Sequence, residues 1–234
     1  MPKLVRSLMD KRQRSWVIVV GATGFVGSYV SAELNTDFNI IKTSRRKLVG
    51  FAQFDMSKDS ISCLLSKNVT SNTDVSVVLC NKFGPMESYT SDEDFARQCE
   101  VSSVVKISNE CKKLGVPIIY LSTSYVYPGD RSGYDENSPV RPISLYGTLK
   151  REAELELLKS SSLNLILRLD KVVGTSFNNQ HLFTEWYEAA KNNQKIRCIK
   201  GQNFSPTSVG DVALAVKLSL LNKLTGIYHC VNPE

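Results

Sequence analysis

Short apolar runs alternate with amphipathic stretches along most of the chain. Trp16–Val20 is an unbroken apolar run rich in β-branched residues, the pattern of a strand buried on both faces. A glycine-rich turn follows at once, and then a helical pattern over 24–34. Residues 38–43 predict a second strand and 51–55 a third, short one. Residues 57–66 read as a helix and 74–80 as a strand. A long helical pattern over 92–114 stops at Gly115, where a C-cap glycine belongs. Residues 117–122 predict a strand, 145–159 a charged amphipathic helix, and 163–169 another strand. Strands that alternate with helices through short connections imply right-handed βαβ units, hence an α/β fold with a doubly wound parallel sheet.

The alternation weakens after Gly174. A helix over 183–192, a strand over 196–199, a helix over Val209–Leu221 and a last strand over 227–231 are expected. The expected organisation is a basic extension over 1–15, a main domain over 16–172, and a small lobe over 173–234 that covers the carboxyl ends of the strands. The polar stretch 129–142 reads as a long loop, and long loops in compact domains are often functional.

Composition narrows the function. A chain of 234 residues with 42% hydrophobic residues supports one sizeable core. The net charge of +6 would fit a nucleic-acid binder, but its placement argues otherwise. Residues 1–14 hold Lys3, Arg6, Lys11, Arg12 and Arg14 against Asp10 alone, which is four of the six net charges. A basic tail on a nearly neutral body reads as a solvated extension, so no nucleic-acid partner is expected. The tail has no apolar stretch suited to a signal peptide, and no segment approaches the ~20 apolar residues of a membrane span. The six cysteines form no CxxC pair and read as reduced thiols of a cytoplasmic protein. With only His181 and His229, a His/Cys metal site is not expected.

Gly21-Ala22-Thr23-Gly24-Phe25-Val26-Gly27 closes the first strand and opens the first helix. Gly21 permits a sharp turn, Gly24 lets the backbone approach a pyrophosphate, and Gly27 lets helix and strand pack closely. Phosphates then meet the positive end of the helix. This reads as the phosphate-binding turn of a dinucleotide-binding Rossmann sheet; the alternative is a tight structural turn. After the second strand the chain runs Thr43-Ser44-Arg45-Arg46-Lys47. An acidic residue there would accept from a ribose 2′-hydroxyl, whereas an arginine fork binds a 2′-phosphate. NADP(H) is therefore expected rather than NAD(H), with Ser44, Arg45 and Arg46 at its 2′-phosphate. Asp55 ends the third strand, placed to accept from an adenine amino group or to cap the helix that follows.

Tyr146 and Lys150 stand at i and i+4, on one helical face. A free phenol titrates near ~10, and a neighbouring ammonium lowers that value toward use as an acid/base. Tyr187 and Lys191 share the spacing and read as an exposed pair. The difference is context: Tyr146 follows the run Tyr120-Leu121-Ser122-Thr123-Ser124-Tyr125-Val126-Tyr127, which places hydroxyls at a strand's carboxyl end, where open α/β sheets bind ligands. Phe183, Trp186 and Tyr187 form an aromatic stripe that is either core or a base-stacking surface. His181 and His229 are weaker candidates for pocket donors.

Four segments, GATGFVG, YLSTSYVYPG, YGTLK and LRLDKVVG, resemble the extended short-chain dehydrogenase/reductase superfamily over about residues 16–175. STSYVYPGD, the Tyr134-Asp135-Glu136 run and SPTSVGDVA at 205–213 are most similar to its dTDP-4-dehydrorhamnose reductase group. The resemblance implies a reductase of a nucleotide-linked 4-keto-deoxysugar, with Tyr146 as general acid/base, Lys150 as its partner and Thr123 at the catalytic Ser/Thr position. It implies Asn81 and Lys82 beside the nicotinamide-side ribose, and Ser124, Tyr125, Arg168 and the turn at Gly174 around the substrate. Three departures stand out. Ser124 occupies a usual Asp position, Glu100 a usual Asn position, and Asn81-Lys82-Phe83-Gly84 replaces a small-residue turn. Two alternatives follow from the same resemblance: a nucleotide-sugar epimerase that retains NAD, and a non-catalytic NADP-binding regulatory subunit. The resemblance also implies a homodimer through the Tyr/Lys helix.

Overall fold

Val17 to Val20 of strand β1 (Trp16–Val20) are all buried, and their side chains alternate between two cores. Val17 and Val19 join a layer with Val30, Leu34, Val212 and Val216, while Ile18 and Val20 join one with Ile61, Ile107 and Leu157. A sheet covered on both faces follows. The computed structural model describes residues 14–69, 73–174, 182–196, 198, 201 and 203–232. The basic extension through residue 13, His181 and the Asn178-Asn179 pair lie outside the described residues.

The seven-stranded sheet adds β2 (Asn39–Ser44), β3 (Ala52–Gln53), β4 (Val75–Leu79), β5 (Ile118–Thr123), β6 (Leu165–Leu169) and β9 (Gly226–Cys230), in the order β3-β2-β1-β4-β5-β6-β9. Every pairing is parallel; Ile18 aligns with Ile41 on one side and Val77 on the other. The chain order reverses between β1 and β4. That reversal opens a crevice at the strands' carboxyl ends.

Helix α1 (Phe25–Leu34) packs on the first core layer and α2 (Ile61–Asn68) on the second. The helical pattern expected over 92–114 is broken in the structure. Short helices α3 (Met86–Ser91) and α4 (Glu93–Arg97) lead into a π turn over Gln98–Ser102, and only then does α5 (Ser103–Leu114) run to its left-handed cap at Gly115. Asp92 caps α4 by accepting from the Phe95 N–H at 3.1 Å. Ser103 donates both its N–H and its hydroxyl to the Gln98 carbonyl, which widens the turn. The wide turn rotates Glu100 into the interior, where it is fully buried. Helix α6 (Leu145–Ser160) packs beside α5 against the sheet.

The expected lobe over 173–234 is smaller than its sequence span. Strand β9 extends the main sheet beside β6, with Leu167 aligned to Tyr228. Helix α8 (Val209–Leu221) buries Val209, Val212, Ala213 and Val216 against the α1 layer, and its Lys217 reaches Glu33 at 2.9 Å and Asp37 at 2.7 Å. Residues 209–230 thus complete the sheet. Helix α7 (Leu182–Lys191) and the two-stranded ladder of β7 (Val172–Val173) and β8 (Thr207–Ser208) remain outside it. Of the strand expected over 196–199, residues 197 and 199 lie outside the described residues, and 196 and 198 are not in a strand.

Candidate active site

Three glycines shape the turn between β1 and α1. Gly21 has φ +80°, and a Cβ there would meet the Cys80 carbonyl oxygen at 3.0 Å. A Cβ on Gly27 would lie 2.2 Å from the Gly21 carbonyl oxygen, so only glycine lets the helix close onto the turn. Gly24 caps α1 with no side chain over the helix's amino end. That end is one wall of a cleft of about 810 Å³, lined here by Gly21, Thr23, Gly24, Phe25 and Val26. Gly27 is buried behind the wall, and its role is packing.

The arginines diverge. Ser44 is buried and accepts from the Arg46 N–H at 3.1 Å, while Arg45 lines the cleft and Arg46 does not. Among the described residues, neither arginine has a carboxylate within ion-pair distance. Asp55 also lines the cleft and accepts from the Ser57 N–H at 3.0 Å and hydroxyl at 2.7 Å. Burial alone would raise its carboxyl; the Ser57 hydrogen bonds outweigh this and hold it below its ordinary value. Asp55 is not the cap of α2. The helix begins later than expected, at Ile61, and Ser60 caps it by accepting from the Cys63 N–H.

Asn81, Lys82, Thr123, Ser124, Tyr125, Tyr146 and Lys150 line the other half of the cleft. Ser144 caps α6, accepting from the Gly147 N–H at 3.1 Å. A Cβ on Gly147 would sit 2.1 Å from the Tyr125 carbonyl oxygen, and this close approach brings Tyr146 to the end of β5. Tyr146 meets Tyr125 edge-on at 6.0 Å and Tyr89 at 5.1 Å. Lys150 is buried, with its Nζ 3.0 Å from Glu100 Oε2 and 3.1 Å from the Asn81 carbonyl oxygen. Burial works against its charge, but the Glu100 carboxylate and the Tyr120 and Tyr146 hydroxyls together hold the ammonium well above its ordinary value.

The phenol differs from the sequence expectation. Burial pushes Tyr146 above its ordinary value; the Lys150 cation pulls it down, the Glu100 carboxylate pushes it back up, and burial prevails. The tyrosine is therefore a protonated acid at neutral pH. Cys80 also lines the cleft, and burial pushes its thiol up to about 12, which leaves it inert.

Arg168 requires a correction. Its Nε and Nη2 donate to the two oxygens of Glu154 at 3.0 and 2.7 Å, and its Nη1 donates to the Tyr127 hydroxyl at 2.6 Å. Buried and held by these three bonds, it does not line the cleft. His229 is likewise away from the cleft, 2.8 Å from the Tyr127 hydroxyl. Phe183 and Trp186 pack edge-on to each other, and Phe183 also meets Phe204, outside the cleft. Sequence reasoning missed Phe83, Phe95, Asp170 and Lys171, all of which line it. Asp170 accepts from the Ser124 hydroxyl at 2.9 Å and the Ser205 N–H at 2.6 Å. Its signal was available, since it directly follows a buried strand at the carboxyl edge of the sheet.

The model of the RmlD substrate binding domain matches residues 15–234. The chain belongs to this family. A dTDP-4-dehydrorhamnose reductase of Sinorhizobium fredii is 26% identical over 226 residues, covering 90% of this chain and 70% of that protein. The rat methionine adenosyltransferase 2 subunit beta is 25% identical over 222 residues, covering 91% of this chain and 66% of that one. Among solved structures, the Bacillus anthracis dTDP-4-dehydrorhamnose reductase in complex with NADP superposes with a TM-score of 0.81 at 22% identity, covering 96% of this chain and 77% of that one. The RmlD-family chain thus spans about two thirds to three quarters of the length of these relatives. Its parallel sheet flanked by helices is the Rossmann-like fold of that reductase structure. Among the described residues no group of three His, Cys, Asp or Glu side chains is placed to hold a metal ion, and no helix is long and apolar enough to cross a membrane.

Proposed function

We propose that this chain is an NADP(H)-dependent reductase of a nucleotide-linked 4-keto-deoxysugar. The observation that carries the reading is the continuity of one cleft. It runs from the GATGFVG turn and Arg45 at one end to Thr123, Tyr146 and Lys150 at the other. The glycine cradle fits a dinucleotide, because a Cβ at Gly21 or Gly27 would collide with backbone and no side chain caps α1. Arg45 would hold the 2′-phosphate, Asp55 the adenine side, and Asn81, Lys82 and Lys150 the nicotinamide ribose. A bound NADPH supplies a hydride. Tyr146 holds the proton that the sugar oxygen receives, and the Thr123 hydroxyl orients that oxygen. Ser124 and Tyr125, with Asp170 behind Ser124, shape the sugar pocket. The names of the Sinorhizobium and Bacillus relatives support the substrate class.

A second reading has its own support. Four mammalian relatives matched over nine tenths of this chain are beta subunits of methionine adenosyltransferase 2, so a non-catalytic NADP-binding partner subunit is the alternative. An NAD-retaining epimerase is less favoured, since Arg45 stands where an acidic residue would serve NAD.

Calorimetry with NADPH and NADH, followed by NADPH oxidation against a panel of 4-keto sugar nucleotides, tests the choice. The reductase reading expects tight NADPH binding, weaker NADH binding and turnover. Tyr146→Phe should lower kcat by at least ~100-fold, the scale of a lost general acid, while NADPH affinity stays within about twofold. NADPH binding without turnover on any sugar would favour the subunit reading, and binding of neither cofactor would sink both.

A further inference from the structure

Glu100 is buried beside Lys150, and the proposed reaction does not use it. Its carboxylate accepts from the Phe83 N–H at 2.6 Å, the Tyr89 hydroxyl at 2.6 Å, the Asn81 amide at 3.3 Å and the Lys150 ammonium at 3.0 Å. An ammonium has three protons. Lys150 spends one on Glu100 and one on the Asn81 carbonyl, and its Nζ also lies 4.7 Å from the centre of the Tyr120 ring.

The surroundings of Tyr146 decide what this pairing does. Lys150 lies on its own helix, with Nζ 5.9 Å from the ring centre. Lys82 approaches the ring at 5.9 Å from the segment after β4. Tyr89 of α3 and Tyr125 after β5 meet it edge-on, and Thr123 lines the same part of the cleft. Glu100, on the π turn, is the anion of this set. A bare ammonium beside a phenol favours the phenolate; an ammonium paired with a buried carboxylate does so far less, because the two fields largely cancel.

We infer that Glu100 is a positioning residue: it fixes Lys150 as a charge-paired donor and keeps Tyr146 a protonated phenol, which sets the site for proton delivery. The inference rests on the reading of Tyr146 as the acid of a reductase. Delivery needs the phenol's proton in place before reaction. A site built to oxidise an alcohol would instead benefit from an uncompensated Lys150.

The test is a titration of the full-length chain carrying 13Cζ-labelled tyrosine, with the Tyr146 resonance assigned by its loss in Tyr146→Phe. Wild type and Glu100→Gln are compared between about pH 7 and 11. Glutamine removes the charge and keeps one acceptor oxygen, which can serve the Phe83 and Tyr89 donors or the Lys150 and Asn81 donors but not both, so Glu100→Asp, which keeps the charge, is the structural control. The expected result is a Tyr146 midpoint lowered by about one unit, a tenfold rise in phenolate at fixed pH. Superimposable curves, including two flat ones, overturn the inference. If the Gln variant does not fold, Glu100→Asp supplies the converse: with the charge kept, the midpoint should remain at the wild-type value, and a downward shift of a unit would refute the electrostatic role. A shifted midpoint without turnover on any sugar nucleotide would sink the substrate reading and keep the role of Glu100. Turnover with unshifted curves would do the reverse.

Discussion

Arg45 and Arg46 are chemically identical neighbours, yet only Arg45 faces the cleft. The chain turns at the end of β2, where the Ser44 hydroxyl takes the Arg46 N–H, and only the first of the two side chains lines the cleft. From sequence they formed one fork; from structure they are separable. A charge-assisted contact to a phosphate contributes about 1.5–3 kcal/mol, and Arg45 is exposed, so the lower end applies. Arg45→Ala should raise the NADPH dissociation constant about tenfold and leave that of NADH within twofold. Arg46→Ala should change neither by more than about twofold. Calorimetry on the two single variants decides it, and equal losses from both would remove the distinction drawn here.

At the scale of elements, periodicity exposed the strands and most helices, because burial on both faces leaves long apolar runs and one-sided burial leaves a 3.6-residue stripe. It could not expose the π turn at Gln98–Ser102, whose extra residue per turn is stabilised by Ser103 bonding back to Gln98. Glu100 therefore read as a departure from a family pattern and not as a partner of Lys150. Strand β9 was legible as a strand, but its place beside β6 depends on tertiary pairing that no local pattern encodes. Gly147, inside YGTLK, is the contact that seats α6. The Cβ of Gly147→Ala would fall 2.1 Å from a backbone oxygen, so the helix must move. Overpacking of this kind costs about 1–3 kcal/mol. Urea denaturation should show that loss, whereas Gly210→Ala, whose Cβ meets only the Ser208 hydroxyl at 3.4 Å, should stay within about 0.5 kcal/mol. Equal stability of the two variants would contradict the close-packing role.

Across the whole molecule, α6 carries two buried charges one turn apart, and each is neutralised by a different layer. Lys150 pairs with Glu100 on the π turn, and Glu154 pairs with Arg168 on β6. Glu154 also accepts from the Ser122 hydroxyl at 2.6 Å and from Arg151 at 2.9 Å, so this one carboxylate joins α6 to both β5 and β6. Removing one partner of a buried pair strands the other charge, which costs about 3–5 kcal/mol, while replacing both with apolar residues of similar volume is often close to neutral. Glu154→Ala should therefore lose about 3–5 kcal/mol in denaturant unfolding, and Glu154→Leu combined with Arg168→Met should recover most of it. The double variant should bind NADPH with unchanged affinity, because Arg168 is buried and bonds Glu154 and Tyr127, none of which lines the cleft. A double variant as unstable as the single one would mean that the Ser122 and Tyr127 hydroxyls, left without Glu154 and Arg168, cost more than the ion pair itself. In that case the network, and not the pair, would be what holds α6 against the sheet.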